Sequence, residues 1–430
     1  MHATIDDWIQ ADAIPFSLDS NDAINGAIDS VVGSLDDAVE LLGFGEALHG
    51  GEEILLLRNR FFQRLVEAHG YTAIAIESSF TAGRIANEYV LGGTLSYDKV
   101  KDRGFSHGFG QVEANRELIE WMRHYNADVS HRAKVRFYGF DIPGTGGYAS
   151  PSGTLRFTLD YLCEVDAAAG ETHRRRIEAV LGDDAAWENP AVYMDPTKSV
   201  ALSPAALSLR IATEDLLTEL RVKRPELVAK SSRERYAEGL QHALIARELL
   251  NSHAALANKA GYAALLGIRD ALMADNLTHI VERERERGSS EASIPRAKVF
   301  VFAHNSHLQR GKVALPVLGE WWPAGSQLDQ TLGRRYAVVG SAVGVSEANG
   351  IGLPEPGSLE ARLTRAPGSA RFVPTRRGIR LAAAEVATIP VRSGSAKNPT
   401  YVPLRPQSLA DFDWLVALNS TTYTRGGRPL

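Results

Sequence analysis

Four apolar runs along the chain each close on an ionisable residue. The run 39–45 ends on Glu46, with His49 three residues later. The runs 71–76, 134–140 and 298–303 end on Glu77, Asp141 and His304, the last followed by Asn305, Ser306 and His307. Apolar density of this kind predicts buried strands. In a parallel sheet the carboxyl ends of the strands share one edge, where ligands bind. Residues far apart in sequence would then meet in one polar cluster.

Between these runs the pattern changes to a helical period. Residues 52–69 predict an amphipathic helix. Ile54, Leu55, Phe61, Phe62, Leu65 and Val66 share one face, opposite Glu53, Arg60, Gln63, Arg64 and Glu67. Gly70 is a good stop. Further helices are expected at 21–35, 81–91 and 111–125. Alternation over residues 1–145 points to βαβ units. After the turn-rich stretch 143–151 the β signal vanishes, and 155–169, 173–181, 204–222 and 231–260 read as helices. The helix at 267–287 is expected under the last core strand. The core resumes at 298–303 and 336–343. Residues 346–430 are rich in Gly, Pro and Arg, with strand candidates at 379–388 and 414–418.

The expected fold is therefore α/β, a mostly parallel central sheet flanked by helices. A discontinuous core (1–150 and 261–345) carries a helical lobe at 151–260 over the active site. A short β-rich C-terminal extension, 346–430, completes the core. No internal repeat is present.

Composition narrows the class. The 430 residues are 44% apolar and 23% charged, with net charge −5, which is ordinary for a globular protein and gives no sign of a nucleic-acid partner. The single Cys163 excludes an intramolecular disulfide and any cysteine-based metal site. Its helical context suggests a buried thiol. An acidic N-terminus without a signal-peptide pattern, and no run near the roughly 18 apolar residues of a membrane helix, lead to a cytoplasmic expectation.

The candidate chemistry starts at residues 43–51. The glycines there let the chain turn between strand and helix. His49 lies just before the helix, whose positive end favours a neutral, basic imidazole. Glu46 can orient the ring or share its proton; the bland alternative is a surface turn. Arg58 falls inside the apolar stripe of 52–69, between Ile54 and Phe61 and Leu65. It should meet a carboxylate, Glu46 or Glu77, unless it snorkels out along its stem. Glu77 would be a half-buried carboxylate near cations, or a helix cap. His304 and His307 could donate to an oxyanion, accept a proton, or join His49 and a carboxylate around zinc. No linear metal motif occurs, so no metal or cofactor is expected. The segment 104–108 (Gly-Phe-Ser-His-Gly) matches a nucleophile elbow in spelling only. The residues before it are polar, so it reads as a loop and Ser106 as a fourth-ranked nucleophile. His124, His131, His242 and His253 sit in polar helical contexts.

Together, Gly45 to Gly50, Arg58, Ile76-Glu77, Phe137 to Asp141, Arg269-Asp270 and Ala303 to His307 resemble the erythromycin esterase family, from about residue 35 to about 345. The segment 412–416 resembles its closing strand. The resemblance implies an α/β core under a mobile helical lobe, and hydrolysis of a macrolide lactone ester without a metal. It also implies catalytic roles for Glu46, His49, Arg58, Glu77, His304 and His307. Asp141, Ser78, Asn305, Phe105 and His107 are the expected substrate-binding residues. The family usually has Thr or Ser where this chain has Leu48, and often where it has Gly51. Some of its members lie in natural-product or exopolysaccharide gene neighbourhoods. The expected partner is a small apolar ester or lactone of polyketide type, in biosynthesis or resistance. His49 would take a proton from water, Glu46 or Glu77 would orient it, and Arg58, His304 and His307 would stabilise the oxyanion. The lobe would supply apolar walls. A lyase using the same cluster is the runner-up, and a non-catalytic cofactor- or haem-binding protein the next.

Overall fold

The structure is a computed structural model that describes residues 4–144, 149–290, 298–375 and 383–428. Ten strands occur among them: β1 (Ile14–Phe16), β2 (Leu41–Glu46), β3 (Tyr71–Ser79), β4 (Arg136–Asp141), β5 (Lys298–His304), β6 (Val313–Leu315), β7 (Gly319–Trp321), β8 (Tyr336–Val345), β9 (Ala370–Pro374) and β10 (Trp414–Ser420). Eight form one sheet in the order β1-β9-β10-β8-β2-β5-β3-β4. The six from β10 to β4 are parallel. β9 and β1 extend the β10 edge antiparallel, and β6 and β7 make a separate hairpin.

The four runs singled out in the sequence are neighbours, β2-β5-β3-β4. β2 and β3 are buried along their whole length, as expected of strands covered on both faces. Glu46 is in register with His304, Phe302 with Ile76, and Ser79 with Asp141. A register shift between Ile76 and Ser79 interrupts the β3–β4 ladder where Glu77 emerges; such irregularities re-aim side chains.

Stacked aromatic rings fill one face. Phe61 from the helix Glu52–His69 lies 5.6 Å from Phe44 and 5.2 Å from Phe300. The other face packs on the helix Tyr262–Ser290 through Met273, Leu277 and Ile280. The helices between Ser152 and Ala257 bury a third cluster of their own, including Leu159, Leu209, Leu216 and Leu250. No described helix is long and apolar enough to cross a membrane.

Several local expectations need correction. The lobe helices break at Asp166, giving Ser152–Val165 and Ala167–Leu181, because the Asp166 side chain caps the second by accepting from Ala169 N. Of the expected strand 379–388, residues 379–382 lie outside the described residues and Ala383–Ala387 is helical; the strand pairing with β10 is β9. Cys163 is half-buried, with Sγ 3.3 Å from Arg174 Nη2. His242 and His253 are buried despite their polar neighbours in sequence. His242 stacks on Phe157 at 3.8 Å.

The glycines of β2 serve close approach, and the turn itself falls at Gly50, with φ +87°. A Cβ on Gly45 would lie 2.3 Å from Asn305 Oδ1. That amide cannot yield easily. Its Oδ1 accepts from Ser341 N at 3.1 Å and its Nδ2 donates to Ser341 O at 2.8 Å, tying β5 to β8. Gly45→Ala is therefore expected to cost about 1–3 kcal/mol by overpacking, seen as a lower urea midpoint. An unchanged midpoint would contradict this packing.

Candidate active site

At the end of β2 the chain turns through 47–51. The turn is held from outside: His49 N donates to Thr400 Oγ1 at 3.0 Å, and Asn398 Nδ2 donates to His49 O at 2.9 Å. The His49 ring is thereby set with Nδ1 2.6 Å from Glu46 Oε1 and Nε2 4.0 Å from Glu77 Oε1. Its side chain is 31% exposed, whereas Glu46 is buried. Burial raises the Glu46 pKa, with partial relief from His49. For His49, burial pulls the pKa down, but Glu46 and Glu77 outweigh it and the net shift is upward. The helix-end effect expected to keep this imidazole neutral is thus overruled by two carboxylates. The pair titrates as a unit around a shared proton. The second Glu46 oxygen, Oε2, is buried without a hydrogen-bond partner among the described residues.

Glu77 has the opposite environment. Oε1 accepts from Arg269 Nη2 at 2.9 Å and lies 3.3 Å from His307 Nε2, while Oε2 accepts from His304 N at 2.8 Å. Burial would raise its pKa, yet His307, His49 and Arg269 hold it well below the carboxylate range. Arg269 also donates to both oxygens of Asp141, at 2.8 and 2.7 Å. Against burial, Asp141 and Glu77 push the Arg269 pKa upward. Asp141 in turn is held far below its usual range, despite burial, by Arg269 and His107.

His307 is clamped between carboxylates, with Nδ1 2.8 Å from Asp270 Oδ1. Asp270 also accepts from Trp321 Nε1 and Ala324 N, at 2.8 and 2.9 Å. Burial acts to lower the His307 pKa, but Asp270 and Glu77 raise it to about 10. It is an imidazolium near neutral pH.

Arg269 and Asp270 were missed as site residues. Arg269 precedes Met273, Leu277 and Ile280 on one helix, so the stripe argument used for Arg58 would have found it. Arg58 itself needs correction. It is buried, but its guanidinium meets Asn59 Oδ1 (2.7 and 3.0 Å), Asn115 Oδ1 (2.8 Å) and Ala114 O, and lies 4.8 Å over the Phe302 ring. No carboxylate among the described residues contacts it. Burial lowers its pKa to about 10, with Glu46 acting against that from a distance. Arg58, Glu46, His49 and Glu77 share a cavity of about 30 Å³.

His304 also departs from expectation. Ser306 N donates to Nδ1 at 3.1 Å, so Nε2 carries the proton and donates to Thr400 O at 2.9 Å. Burial lowers its pKa to about 3. Neither nitrogen is left for an oxyanion. With both His307 nitrogens also engaged, His49, His304 and His307 do not converge as metal ligands. Among the described residues no cluster is arranged to hold a metal.

Of the expected substrate-binding residues, only His107 lines the cleft. Asp141 lies behind it and holds His107 Nε2 at 2.9 Å. Phe105 is in the core against Phe137, at 5.5 Å. Ser78 Oγ accepts from Ser106 N at 2.8 Å, and Ser106 Oγ accepts from Ser79 N at 2.9 Å. Asn305 is the β5–β8 tie. Ser106 follows the helix Tyr97–Arg103 and lies in a loop.

The cleft measures about 520 Å³. Its apolar wall is Phe109, Val112, Leu266, Leu315, Leu318 and Trp321, and segments 398–402 and 423–428 close the other side. No described residue of 151–260 lines it, so the expected apolar walls come from the 107–112 loop, the start of the helix Tyr262–Ser290 and the β6–β7 hairpin. Gly51 starts the helix Glu52–His69 without a side-chain cap. Leu48 is buried in the core.

The erythromycin esterase family model matches residues 66–421, a range that includes Glu77, Asp141, Arg269, His304 and His307 but begins after Glu46, His49 and Arg58. Erythromycin esterase type II of Escherichia coli is 27% identical over 351 residues, covering 78% of this chain and 76% of that protein. A Bacillus cereus protein of known structure superposes with a TM-score of 0.74 at 18% identity, over 99% of this chain and 98% of its own. A succinoglycan biosynthesis protein gives 0.70 at 18% identity, over 98% of each chain. An erythromycin esterase mutant, EreC, in its open conformation gives 0.67 at 17% identity, over 91% of this chain and 93% of its own. Likeness at such identities carries the fold alone.

The His307 clamp has a pH signature. Folding raises this pKa from 6.5 to about 10, so its stabilisation is complete below pH 6.5 and is lost as pH rises through 10. The wild-type urea midpoint should decline over that window and the His307→Gln midpoint should decline much less. Parallel curves would contradict a charged, clamped His307.

Proposed function

This chain belongs to the erythromycin esterase family, and on that premise we propose that it hydrolyses an ester or lactone of an apolar, polyketide- or macrolide-like small molecule. The reaction needs no metal. The observation that carries this reading is the Glu46–His49 pair at the cleft. Glu46 holds Nδ1 at 2.6 Å and leaves Nε2 as the nitrogen for water. A base so held removes the water proton as oxygen attacks the carbonyl carbon.

Charge develops on the carbonyl oxygen as the base acts. Arg269 lines the same cleft as His49, and its Nη1 contacts no carboxylate among the described residues; the His307 imidazolium beside it adds positive charge, its own N–H groups being held by Asp270 and Glu77. They are fixed before substrate arrives, so no reorganisation is needed when the oxyanion forms. In this reading Glu77 anchors the two cations and is not the base, since it is held ionised and bonded on both oxygens. Arg58 and His304 take positioning roles: Arg58 puts positive charge behind Glu46, and His304 links the β5 end to the segment around Thr400. A cleft of about 520 Å³ with an apolar wall suits a drug-sized lactone.

The test uses ¹⁸O-water and a panel of macrolide and simpler lactones. Hydrolysis places one label in the product carboxylate. His49→Ala should lower kcat by about 10²–10⁴ with an unchanged thermal melt. Product lacking label would mean elimination instead, and near-wild-type turnover by His49→Ala would remove the base from His49.

A further inference from the structure

We propose that His107 is the second acid–base group of this reaction, the general acid that protonates the departing alcohol oxygen. The inference rests on the hydrolase reading above and extends it to the leaving-group side.

The loop that carries His107 is built to hold an unusual backbone. His107 has φ +58°, and only Lys259 shares a positive φ among described non-glycine residues. The loop is pinned on both sides of it. Ser106 Oγ accepts from Ser79 N at 2.9 Å. Gly110 packs so closely that an added Cβ would lie 1.8 Å from the Lys101 carbonyl oxygen. Left-handed backbone at a bulky residue persists where its surroundings over-determine it, often at functional sites. Here it delivers an imidazole to the cleft wall.

The ring is then fixed by a carboxylate. His107 Nε2 lies 2.9 Å from Asp141 Oδ2. Asp141 is fully buried and ionised, gripped by two Arg269 donors. An ionised carboxylate only accepts, so Nε2 carries a proton. Nδ1 has no hydrogen-bond partner among the described residues and is the nitrogen left for a reactant. This mirrors His49, where a carboxylate holds Nδ1 and Nε2 is left. Phe109 touches both imidazoles, with ring centroids 5.7 Å from His49 and 5.5 Å from His107. The bridge Glu77–Arg269–Asp141 joins the two ends. Asp141 shares its charge with a guanidinium, whereas Glu46 contacts none among the described residues. That asymmetry assigns the base to His49 and the acid to His107.

The step balances. Collapse of the tetrahedral intermediate re-forms the C=O bond and breaks the C–O bond to the alcohol. The leaving oxygen keeps that electron pair and takes a proton from His107 Nδ1. His49 has gained one proton from water and His107 has lost one. Exchange with solvent resets both.

His107→Gln keeps an N–H donor for Asp141 and removes the transferable proton. The probes are p-nitrophenyl hexanoate, whose phenolate leaves unassisted, and methyl hexanoate, whose methoxide does not. The variant's loss in kcat on the methyl ester should exceed its loss on the nitrophenyl ester by about 10²–10⁴. Nitrophenyl turnover also reports that the variant is folded. Equal losses on both esters, or no loss on either, would overturn the acid assignment while leaving the hydrolase reading intact. Wild-type protein that hydrolyses neither these esters nor any lactone of the panel above would defeat the hydrolase reading, and this assignment with it.

Discussion

Carboxylates buried at the end of a parallel sheet must find positive charge inside the protein, and this constraint organises the site. Glu46, Glu77, Asp141 and Asp270 are all buried. An isolated ion in such surroundings costs several kcal/mol. The helix Tyr262–Ser290 resolves most of this with two consecutive residues. Arg269 joins Glu77 to Asp141, and Asp270 fixes the His307 cation against Glu77. β5 lies between β2 and β3 in the sheet but follows β4 in the chain. The long path from β4 to β5 is what allows this helix to lie under the sheet edge.

Glu46 differs from the other three. Its nearest positive partner is an imidazole that can also be neutral, and its second oxygen has no partner among the described residues. Glu77 and Asp141 are locked as anions, while Glu46 shares a proton with His49. A site that is rigidly charged except at one mobile proton is suited to moving that proton. The walls fit the same division: fixed charges line the floor, and the hairpin, the 107–112 loop and the C-terminal segment give the cleft its shape.

Much of this was legible in the sequence because strand ends are a local signal. The runs before Glu46, Glu77, Asp141 and His304 became adjacent strands, and their last residues reached one edge. What failed depended on tertiary partners. Arg58 was correctly placed in an apolar stripe, but its acceptors are Asn59 and Asn115 amides, and nothing in the sequence ties the helix Glu113–Ala127 to it. His304 had the residue type of an oxyanion donor until Ser306 and Thr400 took its two nitrogens. Segments 398–402 and 423–428 line the cleft without a helical or strand period to mark them, so the extension looked like a completion of the core alone. Segment 151–260 was legible as helical, but its burial could not say whether it faced the site.

The central claim is that Glu46 and His49 act as one base. A double-mutant cycle on kcat/KM with Glu46→Gln, His49→Gln and the pair tests it most directly. Groups that act as a unit are strongly non-additive, so the double variant should fall within about threefold of the weaker single variant. Losses that multiply would contradict the account, because each residue would then be working without the other.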